Sequence, residues 1–281
     1  MPELPEVENV RRGLVATVLG RCVIRVTVRR LDVVHGPSGP ANLLRGRTIT
    51  RIDRLGKQLA LVAASHRGPD DGRTGPCICI HLGMTGSLRY YAPGVPAPRD
   101  IHSHVCWRLD NGGKLIFRDP RRFGGLWTHP SVEALESERW SRLGQDALRI
   151  TPKRLYAGLQ RTRRPLKAAL LDQAVVAGLG NIYVDELLFA CRLSPVSPAN
   201  TCKIEQTRQL VRHMRGLLNR AVRSGGSTLR DYVGADGQAG GFQLRHKVYG
   251  RTGENCVMCK DPLTCSQVAG RTTVYCTTCQ T

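Results

Sequence analysis

Pro5-Glu6-Val7-Glu8-Asn9-Val10-Arg11-Arg12-Gly13-Leu14-Val15-Ala16-Thr17-Val18-Leu19-Gly20-Arg21-Cys22-Val23-Ile24-Arg25-Val26-Thr27-Val28 changes its apolar period halfway along. Val7, Val10, Leu14 and Val18 step by three, four and four, one stripe of a helix, with Pro5 suited to its first turn and Gly20 to its end. From Cys22 the period is two: Cys22, Ile24, Val26 and Val28 alternate. The same period returns at Ile78, Ile80, Leu82 and at Val105, Trp107, Leu109, with Leu115-Ile116-Phe117 as a further apolar run and Asp110-Asn111-Gly112-Gly113 as a turn. Residues 1–130 are therefore expected to form a β-sandwich with an N-terminal helix docked on it, holding the short tail before Pro5 in one place.

Working outward, residues 131–151 are polar and charged and read as a connector. The helical period then returns, with Ile204, Val211, Met214, Leu218 and Ala221 on one face and Gly225-Gly226 as a stop. Residues 152–245 are expected to be a helical domain whose last part, 226–245, is a long mobile loop rich in glycine. Residues 246–281 are left for a cysteine-bearing hairpin. Surface insertions are expected at residues 35–41 and 66–76. The class is α+β, with several domains.

Lys and Arg number 42 against 22 Asp and Glu, a formal net charge of +20. Such a chain attracts a polyanion, and nucleic acid is the first candidate because phosphate contacts supply most non-specific affinity. A biased genome explains Arg over Lys, but not why Asp and Glu fail to keep pace. No long basic amphipathic segment points to a membrane surface, and no apolar run approaches the ~20 residues of a span. The acidic Glu3, Glu6 and Glu8 argue against a secretory signal. The 11 cysteines, an odd number scattered outside the last four, suit a reduced cytoplasm with metal-bound thiolates better than a disulfide framework.

The two ends carry chemistry. If Met1 is clipped, the Pro2 nitrogen is a free secondary amine, a nucleophile able to form an iminium with an aldehyde-level carbon. A free α-amine has a pKa near ~8, so roughly a tenth is neutral at pH 7. Glu3 beside it is suited to shuttle the proton. At the other end, Cys256-Val257-Met258-Cys259 and Cys276-Thr277-Thr278-Cys279 are two Cys-x2-Cys pairs separated by residues 260–275, a spacing that fits one structural Zn2+ with four thiolates. Cys265 fits neither pair and reads as a spare thiol. Arg271, on the same hairpin, either projects toward a ligand or is a solvated surface arginine.

Between the ends, Cys77, Cys79 and His81 share one face of a strand. They suggest a second metal site less than a strand buried on both faces, since Ile78 and Ile80 lie opposite. Asp119-Pro120-Arg121-Arg122-Phe123-Gly124-Gly125 follows a strand and must turn. Two arginines and an aromatic on a turn suit a wedge and clamp for a duplex; spacing alone leaves open a core Phe123 beside surface arginines. Gly178-Leu179-Gly180-Asn181 opens a helical stretch, and helix N-termini bind phosphate.

Taken together, Pro2-Glu3-Leu4-Pro5-Glu6-Val7, His81-Leu82-Gly83-Met84-Thr85-Gly86, Asp119-Pro120-Arg121-Arg122-Phe123-Gly124 and Gly178-Leu179-Gly180-Asn181-Ile182-Tyr183, with the terminal four-cysteine hairpin, resemble the bacterial formamidopyrimidine-DNA glycosylases. The motifs keep the family's order and cover essentially the whole chain. The resemblance implies a β-sandwich, a helix–two-turns–helix domain and a zinc finger, with double-stranded DNA in the cleft between halves. It implies excision of oxidised purines such as 8-oxoguanine and formamidopyrimidines, then cleavage at the abasic site by β,δ-elimination, in a monomer of the bacterial cytoplasm. Pro2 would be the Schiff-base nucleophile, Glu3 the acid that assists ring opening, Lys57 a proton donor in β-elimination and Arg271 the finger arginine of δ-elimination. Met84, Arg121 and Phe123 would fill the gap left by the flipped base. His102 and Arg163 would contact DNA, and Asn181 would bind a phosphate.

Three positions depart from the pattern. Lys260 replaces the glycine usual after the first cysteine pair, Gln58 stands where an aromatic is common, and Arg163 stands where a lysine is frequent. The sister branch, the endonuclease-VIII-type glycosylases for oxidised pyrimidines, usually opens Pro-Glu-Gly and lacks the Met84 and Arg121/Phe123 combination. A non-catalytic zinc-finger DNA-binding protein accounts for charge and zinc but leaves Pro2-Glu3 without a purpose.

Overall fold

The computed structural model describes residues 1–37, 39, 43–64, 75–98, 100–227 and 240–281. Most of the expected insertions, and residues 228–239 of the loop expected over 226–245, lie outside them. The chain divides into two compact units, Met1–Arg142 with Gly225–Gly240, and Leu143–Ser224 with Gly241–Thr281.

The first unit begins with helix α1 (Leu4–Thr17), whose Val7, Val10 and Leu14, with Val18 just beyond, are all buried. Strands β1 (Val23–Val28), β6 (Ser87–Tyr91), β7 (Ser103–Leu109) and β8 (Lys114–Arg118) form an antiparallel sheet in the order β1-β7-β8-β6. Strands β2 (Val34–His35), β3 (Ile49–Leu55), β4 (Gln58–Ala63), β5 (Cys77–His81) and β9 (Gly125–His129) form the second, in the order β2-β9-β5-β4-β3, with only β2 running parallel to its neighbour. Trp107, Leu109, Leu115 and Phe117 from one sheet and Ile52, Leu59, Ile78 and Ile80 from the other share one core with the α1 stripe. Apolar burial of this kind is the main favourable contribution to such a sandwich.

Two details differ from the sequence reading. Ile24, expected to face inward, is 48% exposed. A bulge between Val23 and Arg25 shifts the register, so Val23 takes the core position in its place, while Val26 and Val28 beyond the bulge pack against the core as expected. The expected connector also contains helix α2 (Val132–Glu138), capped by the Ser131 hydroxyl, which accepts the Ala134 N–H at 3.2 Å. Val132 and Leu135 pack on Ala60, Val62, Cys77 and Cys79, flanked by Trp127 and Trp140. Strand β5 is therefore buried on both faces, Ile78 and Ile80 against the sandwich core and Cys77 and Cys79 under α2.

The second unit holds α3 (Pro152–Gln160), α4 (Leu166–Leu171), α5 (Asn181–Cys191) and α6 (Ile204–Arg223). A two-residue parallel pair, β10 (Gln145–Asp146) with β11 (Val176–Ala177), and a hairpin of β12 (Thr264–Val268) and β13 (Arg271–Tyr275) complete it. Of the expected α6 stripe Val211, Met214, Leu218 and Ala221 are buried, and Ile204 at the helix start is only half-buried. The cysteine hairpin rests on the helices of this unit, with Cys256, Cys276, Leu263 and Val274 packed against Phe189 of α5 and Val248. No helix among the described residues is long and apolar enough to cross a membrane.

Candidate active site, DNA-contact tip and metal centre

Pro2 and Glu3 are buried immediately before α1. Pro5 in the first turn sacrifices no helical N–H, and the Glu6 carboxylate reaches back to accept the Glu3 N–H at 2.8 Å. Its other oxygen accepts the Ser227 N–H at 2.7 Å. Gly226, with φ +84°, lies so close that a Cβ there would stand 2.7 Å from that oxygen, so only glycine fits.

Two residues further along α1, Glu8 takes hydrogen bonds from Arg11 at 2.9 Å and from Arg12 and Arg54 at 3.0 Å. Arg54 also donates to the Gly56 carbonyl at 3.0 Å. Lys57, only 7% exposed, follows in the tight β3–β4 turn. The helix that carries Pro2 and Glu3 is thus joined by Glu8–Arg54 to the turn that carries Lys57. Gln58, the departure next to it, has a definite role in this chain: its Oε1 accepts from Arg139 Nε at 2.9 Å and from Trp140 Nε1 and Cys79 Sγ at 3.2 Å. Arg139 stacks 3.6 Å above the Trp127 ring. His81 pairs with Gln58 in the sheet. Burial, then the charges of Arg139 and Lys57, push it down to about 4, so it is neutral at neutral pH.

A second constellation stands on the β8–β9 connection. The buried Asp119 carboxylate accepts from Thr85 Oγ1 at 2.6 Å, from the Gly124 N–H at 2.8 Å and from the Arg121 N–H at 3.3 Å. Gly83, at φ +62°, packs where a Cβ would be 2.4 Å from the Gly124 nitrogen. The loops of Met84 and Phe123 are therefore fastened together. Phe123 is 55% and Met84 37% exposed, and the Arg121 guanidinium lies 4.6 Å over the Phe123 ring. The core alternative for Phe123 is thereby excluded. Arg122 takes a left-handed backbone, φ +54°, with its guanidinium 2.6 Å from Asp32. His102, half-buried, accepts the Asp119 N–H at 3.0 Å through its carbonyl, which ties it to the same turn.

In the second unit, Arg163 is exposed between α3 and α4. Asn181 opens α5, and its side-chain amide donates to the Thr272 carbonyl at 2.9 Å, leaving that amide a second N–H. Arg271 starts β13 on the exposed side, after a turn with Ala269 and Gly270 at φ +51° and +67°. The Sγ atoms of Cys256, Cys259, Cys276 and Cys279 all lie within 4.8 Å of one another, a group that could hold a metal ion. The Cys256–Cys279 and Cys259–Cys276 separations are 3.9 and 3.4 Å, close to the ~3.8 Å edge of a tetrahedron with metal–sulfur bonds of about 2.3 Å. The Met258 and Cys279 N–H groups point at Cys256 and Cys276 sulfur, both at 3.4 Å. Lys260 adopts φ +72°, the backbone a glycine would take without strain, and the knuckle still closes through its N–H to the Cys256 carbonyl at 3.0 Å. Among the described residues Cys77, Cys79 and His81 form no metal-ligating group.

Residues 1–126 match the formamidopyrimidine-DNA glycosylase N-terminal domain and residues 143–233 the H2TH domain of the same enzymes. A formamidopyrimidine-DNA glycosylase of Xanthomonas oryzae pv. oryzae is 40% identical over 283 residues, covering all of both chains. The chain belongs to the formamidopyrimidine-DNA glycosylase family. Among solved structures, MutM (Fpg) of Thermus thermophilus is similar at 41% identity and a TM-score of 0.85, over 99% of this chain and 98% of that one. A complex of Lactococcus lactis Fpg with DNA containing an abasic site matches at 33% identity and a TM-score of 0.86, over 99% of each chain.

Several residues that fasten this glycosylase's site escape motif reading. Glu6 had a signal, an acid three residues into a helix start. Glu8–Arg54, Asp119–Thr85 and Gln58–Arg139 join residues 34 to 81 positions apart and leave no local pattern.

Proposed function

We propose that this glycosylase removes oxidised purines, 8-oxoguanine and formamidopyrimidines, from double-stranded DNA and then cuts the strand at the abasic site, with Pro2 as nucleophile. The observation that carries the assignment is the placement of Pro2 and Glu3, buried at the start of α1, held by Glu6 and linked through Glu8–Arg54 to the Lys57 turn. With Met1 removed, the Pro2 nitrogen attacks C1′, the glycosidic bond breaks as the base departs with the proton the amine gives up, and Glu3 delivers a proton to the ring oxygen as the sugar opens to the iminium. The iminium keeps a positive charge and acidifies the 2′ hydrogens. Loss of one of them breaks the C3′–O bond, with Lys57 as proton donor; loss of the 4′ hydrogen then breaks the C5′–O bond, with Arg271 assisting. Met84, Arg121 and Phe123 fill the space of the extruded base, while His102, Arg163 and Asn181 grip the backbone.

The metal in the four-cysteine site is zinc, whose bonds to Cys256, Cys259, Cys276 and Cys279 fold the terminal hairpin. Four parts, namely sandwich, connector, helical domain and finger, and a cytoplasmic location complete the reading.

Borohydride added during turnover tests it. The iminium should be reduced to a stable amine joining protein and DNA, and peptide mapping should place the DNA on Pro2 with Met1 absent. Lys57→Ala should still form some adduct. An adduct on Lys57 overturns the assignment. Competition between 8-oxoguanine and thymine glycol separates the purine reading from the pyrimidine-specific sister branch.

A further inference from the structure

Lys167 on α4 and Asp185 on α5 form an ion pair of 2.7 Å with side-chain exposures of 0% and 1%. Removing two charges from water this completely is costly unless each finds further partners. The partners here are both on β13. Lys167 Nζ donates to the Thr272 carbonyl at 3.0 Å, and the Val274 N–H donates to Asp185 Oδ2 at 3.2 Å. Along a strand, the carbonyl of one residue and the N–H two residues on point to the same side. In β13 that side faces away from β12, its ladder partner. The cation supplies a donor and the carboxylate an acceptor, at the spacing a third strand would use.

The same helix makes two more attachments. The Asn181 amide shares the Thr272 carbonyl, filling its second lone pair. Glu186, next to Asp185, accepts the N–H groups of Lys247, Val248 and Tyr249, at 2.9 to 3.0 Å, where the chain enters the cysteine hairpin. The free edge of β13 is thus occupied one residue beyond Arg271.

We propose that Lys167 and Asp185 are positioning residues for Arg271: as a two-residue substitute for a third strand they fix β13 on α5, and with it Arg271 relative to Asn181. The inference rests on the reading of Arg271 as the δ-elimination residue, since Lys167 and Asp185 touch no reacting atom. Its effect is on the second elimination, where a misplacement of about 1 Å costs on the order of a hundredfold.

The test uses the full chain and a duplex with a preformed abasic site, scoring β- and δ-products in Arg271→Ala, Lys167→Met, Asp185→Asn and the double variant Lys167→Met/Asp185→Leu. The double variant leaves no buried unpaired ion and so avoids the folding failure a single change risks. Zinc content, measured beside each assay, shows that the hairpin is intact. With zinc bound, the δ share should fall on the order of tenfold in the single and double variants, while β cleavage stays near the parent rate. An undiminished δ share in the zinc-bound double variant, with Arg271→Ala impaired, overturns the inference. An unimpaired Arg271→Ala variant overturns the reading of Arg271 instead. Hydrogen exchange at the Val274 amide supplies a readout independent of Arg271: it should quicken at least about tenfold in the double variant, and unchanged protection overturns the strand-substitute geometry.

Discussion

A buried carboxylate, Glu8, and a half-buried imidazole, His81, near Lys57 make the pH dependence of stability predictable. For Glu8, burial pushes the carboxyl up, but the hydrogen bonds of Arg11, Arg12 and Arg54 prevail and hold it at about 2. His81 is held at about 4, burial being the main cause. The unfolded chain protonates these groups near 4.5 and 6.5, so over both intervals it binds more protons than the folded one. Their contribution is therefore whole above pH 6.5 and fades as the pH falls, His81 first and Glu8 next. Thermal melts between pH 7 and 3 should show His81→Asn flattening the upper part of this decline. Glu8→Gln should flatten the lower part and cost about 1–3 kcal/mol at pH 7. Slopes unchanged in both variants would contradict the assignment. Lys260 offers an opposite case. Its left-handed backbone, φ +72°, carries a strain of roughly 1 kcal/mol that glycine lacks. Lys260→Gly should make the hairpin hold its metal against a chelator at least as long as the parent, and faster loss would contradict this.

At the level of elements, the turn after β8 behaves as one piece because a single carboxylate gathers its backbone. Asp119→Ala leaves the Gly124 and Arg121 N–H groups and the Thr85 hydroxyl without their acceptor, so Phe123 and Met84 lose their fixed offset. Single-turnover excision should slow on the order of tenfold, with cleavage of a preformed abasic site less affected; equal loss in both steps would argue for general unfolding. Elements were legible where the sequence carries a period. The α1 and α6 stripes and the Asp110–Gly113 turn stand where spacing puts them. The Ile24 phase was not legible, because a bulge leaves the alternation of residue types intact while turning the strand's first residues to the other face. Nor was α2, whose few apolar residues gain meaning only from the Cys77/Cys79 face they cover. The motif residues were legible by resemblance, whereas the ties among them, Glu8–Arg54 or Lys167–Asp185, depend on the tertiary fold.

For the whole molecule, the excess of basic side chains sets how binding responds to salt. Each phosphate contacted should contribute about −0.9 to the log–log slope of affinity against salt. Arg163→Ala should weaken all duplexes alike and make that slope shallower by about one contact, whereas Arg121→Ala should alter the response to the base opposite the lesion. Identical effects of the two variants on every duplex would refute this division of labour.

The layer of α2 over β5 has a redox consequence. Burial is the main cause that pushes the Cys77 thiol up to about 12 and Cys79 up to about 11. The thiolate, not the thiol, is the form that attacks peroxide, so these two sulfurs are inert at neutral pH. Cys265 is exposed, and the four clustered cysteines serve as thiolates when they bind metal. The oxidants that damage guanine in DNA would therefore reach the hairpin's sulfur before Cys77 and Cys79, and the four-cysteine group of this repair enzyme would be oxidised while those two thiols of its sandwich stayed reduced.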